Sequence, residues 1–165
     1  MGEEQTDHRR VSEGTLGGVH QRREAEGVAR RPFKPWESRK PVIAALNGVA
    51  AGVGATLPLQ WDIRLAGESA RIAFMFLRRG LVPAAAITWL LPRLIGMSRA
   101  TELLLTGRLV PAREALEMGL VSRAVPGAEL VPAARARARE VAEQTAPGAG
   151  ASTKRLPWHK TGGAR

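Results

Sequence analysis

Two periods of apolar residues run along this chain, and each predicts a type of element. Residues 42–46 form an apolar run with β-branched residues at its start, and it stops at an Asn-Gly pair, as is typical of a buried strand. A glycine-rich turn containing Gly52 and Gly54 follows, and an apolar helical run then begins at Ala55. The pattern therefore predicts a strand, a tight loop and a helix between residues 40 and 60.

Further along the chain, the same patterns predict an alternation of short strands and helices. We expect two strands around a turn at residues 67–69, and a loop over residues 76–83. Pro92 is expected to kink a helix or lie near its end, and Ser98 to cap the next one. The predicted strands are 62–66, 71–74 and 120–125; the predicted helices are 84–94, 99–106, Pro111 to a stop at Gly119, and 128–145.

Both ends of the chain lack this periodicity. Residues 1–39 are rich in Gly, Arg and Glu, which predicts an irregular, disordered leader. Residues 148–165 contain Gly, Pro and basic residues without an apolar period, which predicts a basic irregular tail. The organised part is therefore expected at residues 40–147.

Composition narrows the class of protein. A chain of 165 residues with 44% hydrophobic residues is typical of one soluble globular domain. There is no cysteine, and the three histidines (His8, His20, His159) fall in the irregular flanks, so neither a disulfide framework nor a metal site is expected. No apolar run is long enough to span a membrane, and the first ten residues do not resemble a secretory signal. We expect a cytoplasmic protein.

The net charge of +10 is spread along the chain. Residues 1–40 hold nine basic and seven acidic residues, and residues 148–165 hold four basic and no acidic ones. The predicted last helix has a basic stripe of Arg135, Arg137 and Arg139, which we interpret as a solvated face. Without a basic groove interleaved with aromatic residues, nucleic-acid binding through the tail is only a minor alternative.

The glycine loop is the candidate for chemistry. Glycines suit a backbone with positive φ or one that closely approaches a ligand, and free N–H groups at a helix start favour an anionic oxygen. A dinucleotide site would use the same design, but Leu57 stands where its third glycine should be. A structural turn without a ligand is the other alternative.

Longer blocks of sequence carry a resemblance. The stretch KPVIAALNGVAAGVGATLPLQWDIRLAGESARIAF is followed in order by RRGLVP, WLLPRLIG, ELLLTGR and EALEMGLVSRAVP. Together these blocks, from Lys40 to about Pro147, resemble the enoyl-CoA hydratase/isomerase (crotonase) family. The resemblance implies an α/β fold, the crotonase-like (ClpP/crotonase) βαβ spiral, here truncated at both ends. It also implies a homotrimer or a hexamer made of two trimers.

The family chemistry implies roles for particular positions. Two main-chain amides stabilise the enolate oxygen of a coenzyme A thioester, which is the substrate, and carboxylates move protons; no separate cofactor is needed. The resemblance places one oxyanion-hole amide at Val53. The three positions where relatives carry carboxylates are here Thr56, Phe76 and Ala84, none of which ionises. The implied substrate-binding residues are Ala51, Gly52, Gly54, Thr56, Phe76 and Ala84.

Two functions follow from these expectations. The first is a protein that binds or processes acyl-CoA thioesters, with weak or lost activity because the family carboxylates are absent. The second is a non-catalytic scaffold or assembly remnant of the same fold. Asp62 and Glu68, the acids nearest to the loop, are expected to serve in capping, surface pairing and solubility.

Overall fold

Six short strands form two separate three-stranded sheets in the computed structural model, which describes residues 35–83 and 87–159. In the first sheet the order is β1 (Ile43–Leu46), β3 (Ile63–Gly67) and β6 (Arg123–Val125), and all three strands are parallel. In the second sheet β4 (Arg71–Ala73) pairs in parallel with β2 (Val49–Ala51) and antiparallel with β5 (Leu109–Pro111). The chain passes from one sheet to the other at each short turn.

This alternation differs from the expected strand arrangement in two ways. The sequence pattern does not predict β2, because its three residues lie between the Asn-Gly pair and the glycine loop. The strands predicted at 62–66 and 71–74 are both present, but they belong to different sheets. The tight turn between them, in which Ala70 N–H donates to Gly67 O at 2.8 Å, sends the chain across to the second sheet.

Within the described residues, six α-helices accompany the strands: α1 (Val53–Thr56), α2 (Ile87–Ile95), α3 (Met97–Thr106), α4 (Ala112–Glu117), α5 (Leu130–Gln144) and α6 (Pro147–His159). The first residues of the predicted helix 84–94 lie outside the described part of the chain, and Pro92 lies inside α2. The prediction of Ser98 as an N-cap is wrong, because Gly96 occupies that position and α3 begins at Met97. Within 35–83 and 87–159, no helix is long and apolar enough to cross a bilayer.

Helix α6 corrects the prediction of a basic irregular tail at residues 148–165, over the part that the structure describes, up to His159. Its sequence has no apolar face to signal a helix, but a buried lysine connects it to the first sheet. Lys154 Nζ lies 2.8 Å from Asp62 Oδ2 and donates to Lys40 O at 2.8 Å. Since only 4% of this side chain is exposed, Lys154 does not contribute to a basic surface.

The core has a large and a small part. The large cluster joins the second sheet to α2, α3 and α4, and its bulkiest fully buried side chains are Phe74, Ile87, Leu91, Leu103, Leu120, Val110 and Val121. The small cluster consists of Leu65, Val125 and Leu130, where α5 packs on the first sheet. Among the described residues, the buried hydrophobic core is therefore aliphatic apart from one aromatic side chain, Phe74.

Candidate functional site

The glycine loop connects β2 to α1. Gly52 precedes the helix with φ 53° and ψ −121°, a left-handed φ that favours glycine. A Cβ added at Gly52 or Gly54 would meet no other atom within 4 Å, so the loop is open to its surroundings. Conformation, and not lack of space, is therefore what requires glycine at position 52.

The hydrogen bonds of α1 leave amides available at its start. Ala55 and Thr56 both donate their N–H groups to Gly52 O at 3.0 Å, and Leu57 N–H donates to Val53 O at 3.0 Å. Val53 and Gly54 are the first two residues of the helix, so their N–H groups have no acceptor within it. Val53 is 50% exposed. The loop thus brings Ala51, Gly52, Val53 and Gly54 together at the surface.

The other predicted site residues lie in different surroundings. Thr56 is only 1% exposed, and its hydroxyl donates to Val53 O at 3.4 Å. Phe76 is half-buried against the large core cluster, just before the 3₁₀ turn Leu77–Arg79. Ala84 lies outside the described residues. The surface of the loop is consequently formed by backbone and small side chains, while Thr56 supports it from below.

The two nearest acids serve the scaffold. Asp62 Oδ2 accepts a hydrogen bond from Val42 N–H at 2.7 Å and pairs with Lys154, so its role is internal and not the expected surface pairing. Glu68 is exposed in the turn between β3 and β4, and its N–H donates to Val125 O at 2.9 Å. Both acids are therefore accounted for by strand and turn structure.

One half-buried cation near the loop, Arg64, was not singled out from the sequence. Arg64 donates to the carbonyl oxygens of Trp61 at 2.7 Å, Leu120 at 2.9 Å and Pro58 at 3.3 Å. Burial lowers the pKa of its guanidinium, while the charge of Asp62 acts in the opposite direction. Arg64 thereby fixes the segment that leaves α1. The signal in the sequence was an arginine within an apolar strand.

Among residues 35–83 and 87–159, no three His, Asp or Glu side chains lie close enough together to hold a metal ion. What the loop can supply is a pair of main-chain donors at the positive end of a short helix, an arrangement suited to a carbonyl oxygen that gains negative charge.

The sequence of this chain is similar to those of known proteins. A family model for enoyl-CoA hydratase/isomerase matches residues 19–156, well over half of the chain. An enoyl-CoA hydratase of Alternaria alternata is 58% identical over 71 residues, which are 43% of this chain and 24% of that protein. The 1,2-epoxyphenylacetyl-CoA isomerase of Escherichia coli is 54% identical over 68 residues, 41% of this chain and 26% of that one.

A solved structure extends the likeness to the fold. The crystal structure of a probable enoyl-CoA hydratase/isomerase from Mycobacterium abscessus superposes with a TM-score of 0.77 at 43% identity, covering 82% of this chain and 54% of the other. The chain spans about a quarter of the length of the two curated relatives above and about half of this structure.

These comparisons confirm the crotonase-like α/β fold expected from the sequence. The matched region is wider on both sides than residues 40–147, since it begins at residue 19 and ends at residue 156. The predicted leader, residues 1–39, lies outside the described part of the chain up to residue 34, and its disorder stays a prediction. With its glycine loop, its two-sheet topology and this match, the chain belongs to the enoyl-CoA hydratase/isomerase family.

Proposed function

We propose that this protein binds acyl-CoA thioesters, with the thioester oxygen held by main-chain amides at Val53 and Gly54. The observation that carries the proposal is the turn at Gly52, which presents two helix-start N–H groups at an exposed loop. Family membership supports it, because the names of the relatives above refer to enoyl-CoA hydration and to a CoA-linked isomerisation. We further propose that the protein is cytoplasmic and assembles as a trimer or a hexamer.

Turnover by this chain is proposed to be slow or lost. The loop itself is formed by non-ionisable residues, Thr56 is buried, and Phe76 packs against the core. A positioned acid or base contributes typically 10²- to 10⁴-fold to rate, and one oxyanion donor about 10²- to 10³-fold. Binding can therefore persist where catalysis is weak.

The test is titration of the full chain with crotonyl-CoA, followed by calorimetry and by thermal unfolding. Free coenzyme A serves as the comparison ligand. If the thioester oxygen is recognised, crotonyl-CoA should bind more tightly than coenzyme A, and at a hundred times its Kd it should stabilise the fold by about 2.7 kcal/mol. Equal affinity for the two ligands would contradict recognition of the thioester.

A matched pair of variants locates the binding. Gly52→Ala places a side chain on a residue with φ 53°, so the loop must change conformation. Gly48→Ala is the control, since its φ is not positive and a Cβ there meets nothing within 4 Å. We expect Gly52→Ala to weaken crotonyl-CoA binding at least tenfold and Gly48→Ala to leave it unchanged; equal effects would place the ligand elsewhere.

A non-catalytic scaffold is the second candidate, favoured by the burial of Thr56 and the packing of Phe76. The same titration separates the two functions. A folded chain with a cooperative melt that crotonyl-CoA does not shift would support the scaffold and oppose the thioester site.

A further inference from the structure

An apolar groove of about 600 Å³ lies against the first sheet, between β1 and the helices α5 and α6. No residue of the glycine loop lines it. Its apolar lining comes from the three elements and the approach to β1: Pro41, Ile43, Ala45, Val131, Ala134, Ala138, Val141, Ala142, Gly150 and Ala151. The volume lies within the range of pockets that bury small molecules, roughly 300 to 1,000 Å³.

The charged residues of the groove are all basic, and Thr145 adds one uncharged polar side chain. Arg39 and Lys40 line it just before β1, and Arg135 lines it from α5. All three residues are exposed to solvent, and none of the described lining residues is acidic. An apolar occupant alone would leave these cations uncompensated, whereas an anionic end group would match them.

We propose that this groove binds an amphipathic anion, a single aliphatic chain that ends in a carboxylate. The chain lies along the wall formed by Ile43, Val131 and Ala138, and the carboxylate is held by Arg39, Lys40 and Arg135. This site is separate from the glycine loop and does not depend on thioester binding there.

The position of α6 supports a formed groove. Gly150 and Ala151 contribute one side of it, and Lys154 in the next turn joins α6 to Asp62 and to Lys40 O. The wall is thus attached to the residues that lead into β1 and β3. A groove held open in this way requires little reorganisation to accept a ligand.

The test is calorimetric titration of the full chain with decanoate, kept below its micelle concentration. Decanol, which has the same chain without the charge, is the comparison ligand. We expect saturable one-site binding of decanoate that is at least tenfold tighter than that of decanol. Equal affinities, or no decanoate binding, would overturn the proposal.

Two pairs of variants place the ligand. Arg135→Gln is expected to weaken decanoate binding about tenfold, while Arg139→Gln, on the same helix but outside the lining, should have no effect. Ala138→Phe should fill the groove and abolish binding, while Ala136→Phe, on the same helix but outside the lining, is its control. Circular dichroism establishes that all four variants remain folded.

Other occupants give different results. If decanoate binding survives Ala138→Phe, the ligand lies elsewhere and the proposal fails. If the chain self-associates in sedimentation, and Ala138→Phe disrupts this while decanoate does not compete, the groove is an interface between copies. Decanoate binding that is lost in Gly52→Ala but kept in Ala138→Phe would assign the anion to the glycine loop.

Discussion

The surroundings of single side chains decide what the loop can do. At position 56, the threonine is 1% exposed and its hydroxyl donates to the carbonyl of Val53, so the side chain faces the interior. A hydrogen bond of 3.4 Å is weak, and the residue contributes mainly by filling space under α1. Any ionisable group at this position would have to be accommodated by the core.

Thr56→Glu is therefore expected to destabilise the fold by about 3 to 5 kcal/mol, because it buries a charge without a partner. Burial raises the pKa of the new carboxyl, so the loss is largest at neutral pH and decreases as the pH falls and the group stays protonated. Urea unfolding at several pH values measures this effect. Thr101→Glu, at an exposed position of α3, should change stability by less than about 0.5 kcal/mol.

For single residues, the sequence predicted the backbone conformation of the loop better than it predicted the contacts of side chains. Gly52 could be assigned to a special turn because glycine itself signals such a conformation, and its φ of 53° agrees. The role of Arg64 could not be predicted, since one of its carbonyl acceptors, Leu120, lies 56 residues away in the chain. The assignment of Val53 to an oxyanion hole stays a prediction.

Elements were predictable where an apolar period or a stop residue defines them. The end of α3 at residue 106 agrees with the predicted helix 99–106, and the next residue, Gly107, takes φ 55° with its N–H donating to Leu103 O at 2.9 Å. The partition of strands between two sheets was not predictable, because it depends on how each short turn directs the chain. Local patterns carry no information about that direction.

The stability of the fold should be sensitive to substitution of Gly107, at the end of α3. Gly107→Ala is expected to cost about 1 to 2 kcal/mol for the left-handed φ. A further cost arises because its Cβ would lie 3.0 Å from Met75 Cα. Gly148→Ala, near the start of α6, has space and an ordinary φ, and should raise stability by up to about 1 kcal/mol. Denaturant midpoints for the two variants should move in opposite directions; a shared direction would contradict the assigned conformation of Gly107.

Arg108 connects α3 to α4 through two carboxylates. Its Nε donates to Glu102 Oε1 at 2.7 Å and its Nη1 donates to Glu114 Oε2 at 2.8 Å. Hydrogen bonding from Arg108 lowers the pKa of Glu114. The stabilisation from Glu114 is therefore complete above its unfolded pKa and is lost as the pH falls through its lower folded pKa.

Glu114→Gln should remove that part of the pH dependence. Because the pair is partly exposed, we expect a loss of less than about 1 kcal/mol at neutral pH and no difference from the parent protein in strong acid. Thermal unfolding across the acid range measures it. Glu117→Gln, which breaks the exposed pair with Arg113, is the control and should change the profile less.

At the scale of the whole molecule, the feature that local sequence patterns did not predict is the attachment of α6 to the rest of the fold. A tail without an apolar period was expected to be irregular, yet it forms a helix whose anchor, Lys154, contacts residues near the start of the first sheet. Such long-range contacts are invisible to a local pattern. The extent of the family match shows the same limit of local patterns. The family model matches residues 19–156, whereas the sequence blocks located the resemblance only from Lys40 to about Pro147.

Lys154→Met tests this anchor. The substitution keeps an unbranched side chain one atom shorter but removes the charge-assisted hydrogen bonds to Asp62 and Lys40 O, so we expect a loss of about 1.5 to 3 kcal/mol. Hydrogen exchange should become faster along α6. Arg155→Met, which changes an exposed cation in the same helix, should leave exchange and stability nearly unchanged. Comparable effects of the two variants would refute the anchor.

The crossing of the chain between two sheets also sets an order of assembly. Residue 43 pairs with residue 63, and residue 49 with residue 71, so the first four strands can meet after closing short loops. Residue 65 pairs with residue 123, so β6 joins only after a much longer loop has closed. Because non-local contacts form slowly, we expect the β1–β4 unit to fold first, and the helices α5 and α6, which follow β6, to complete the molecule last.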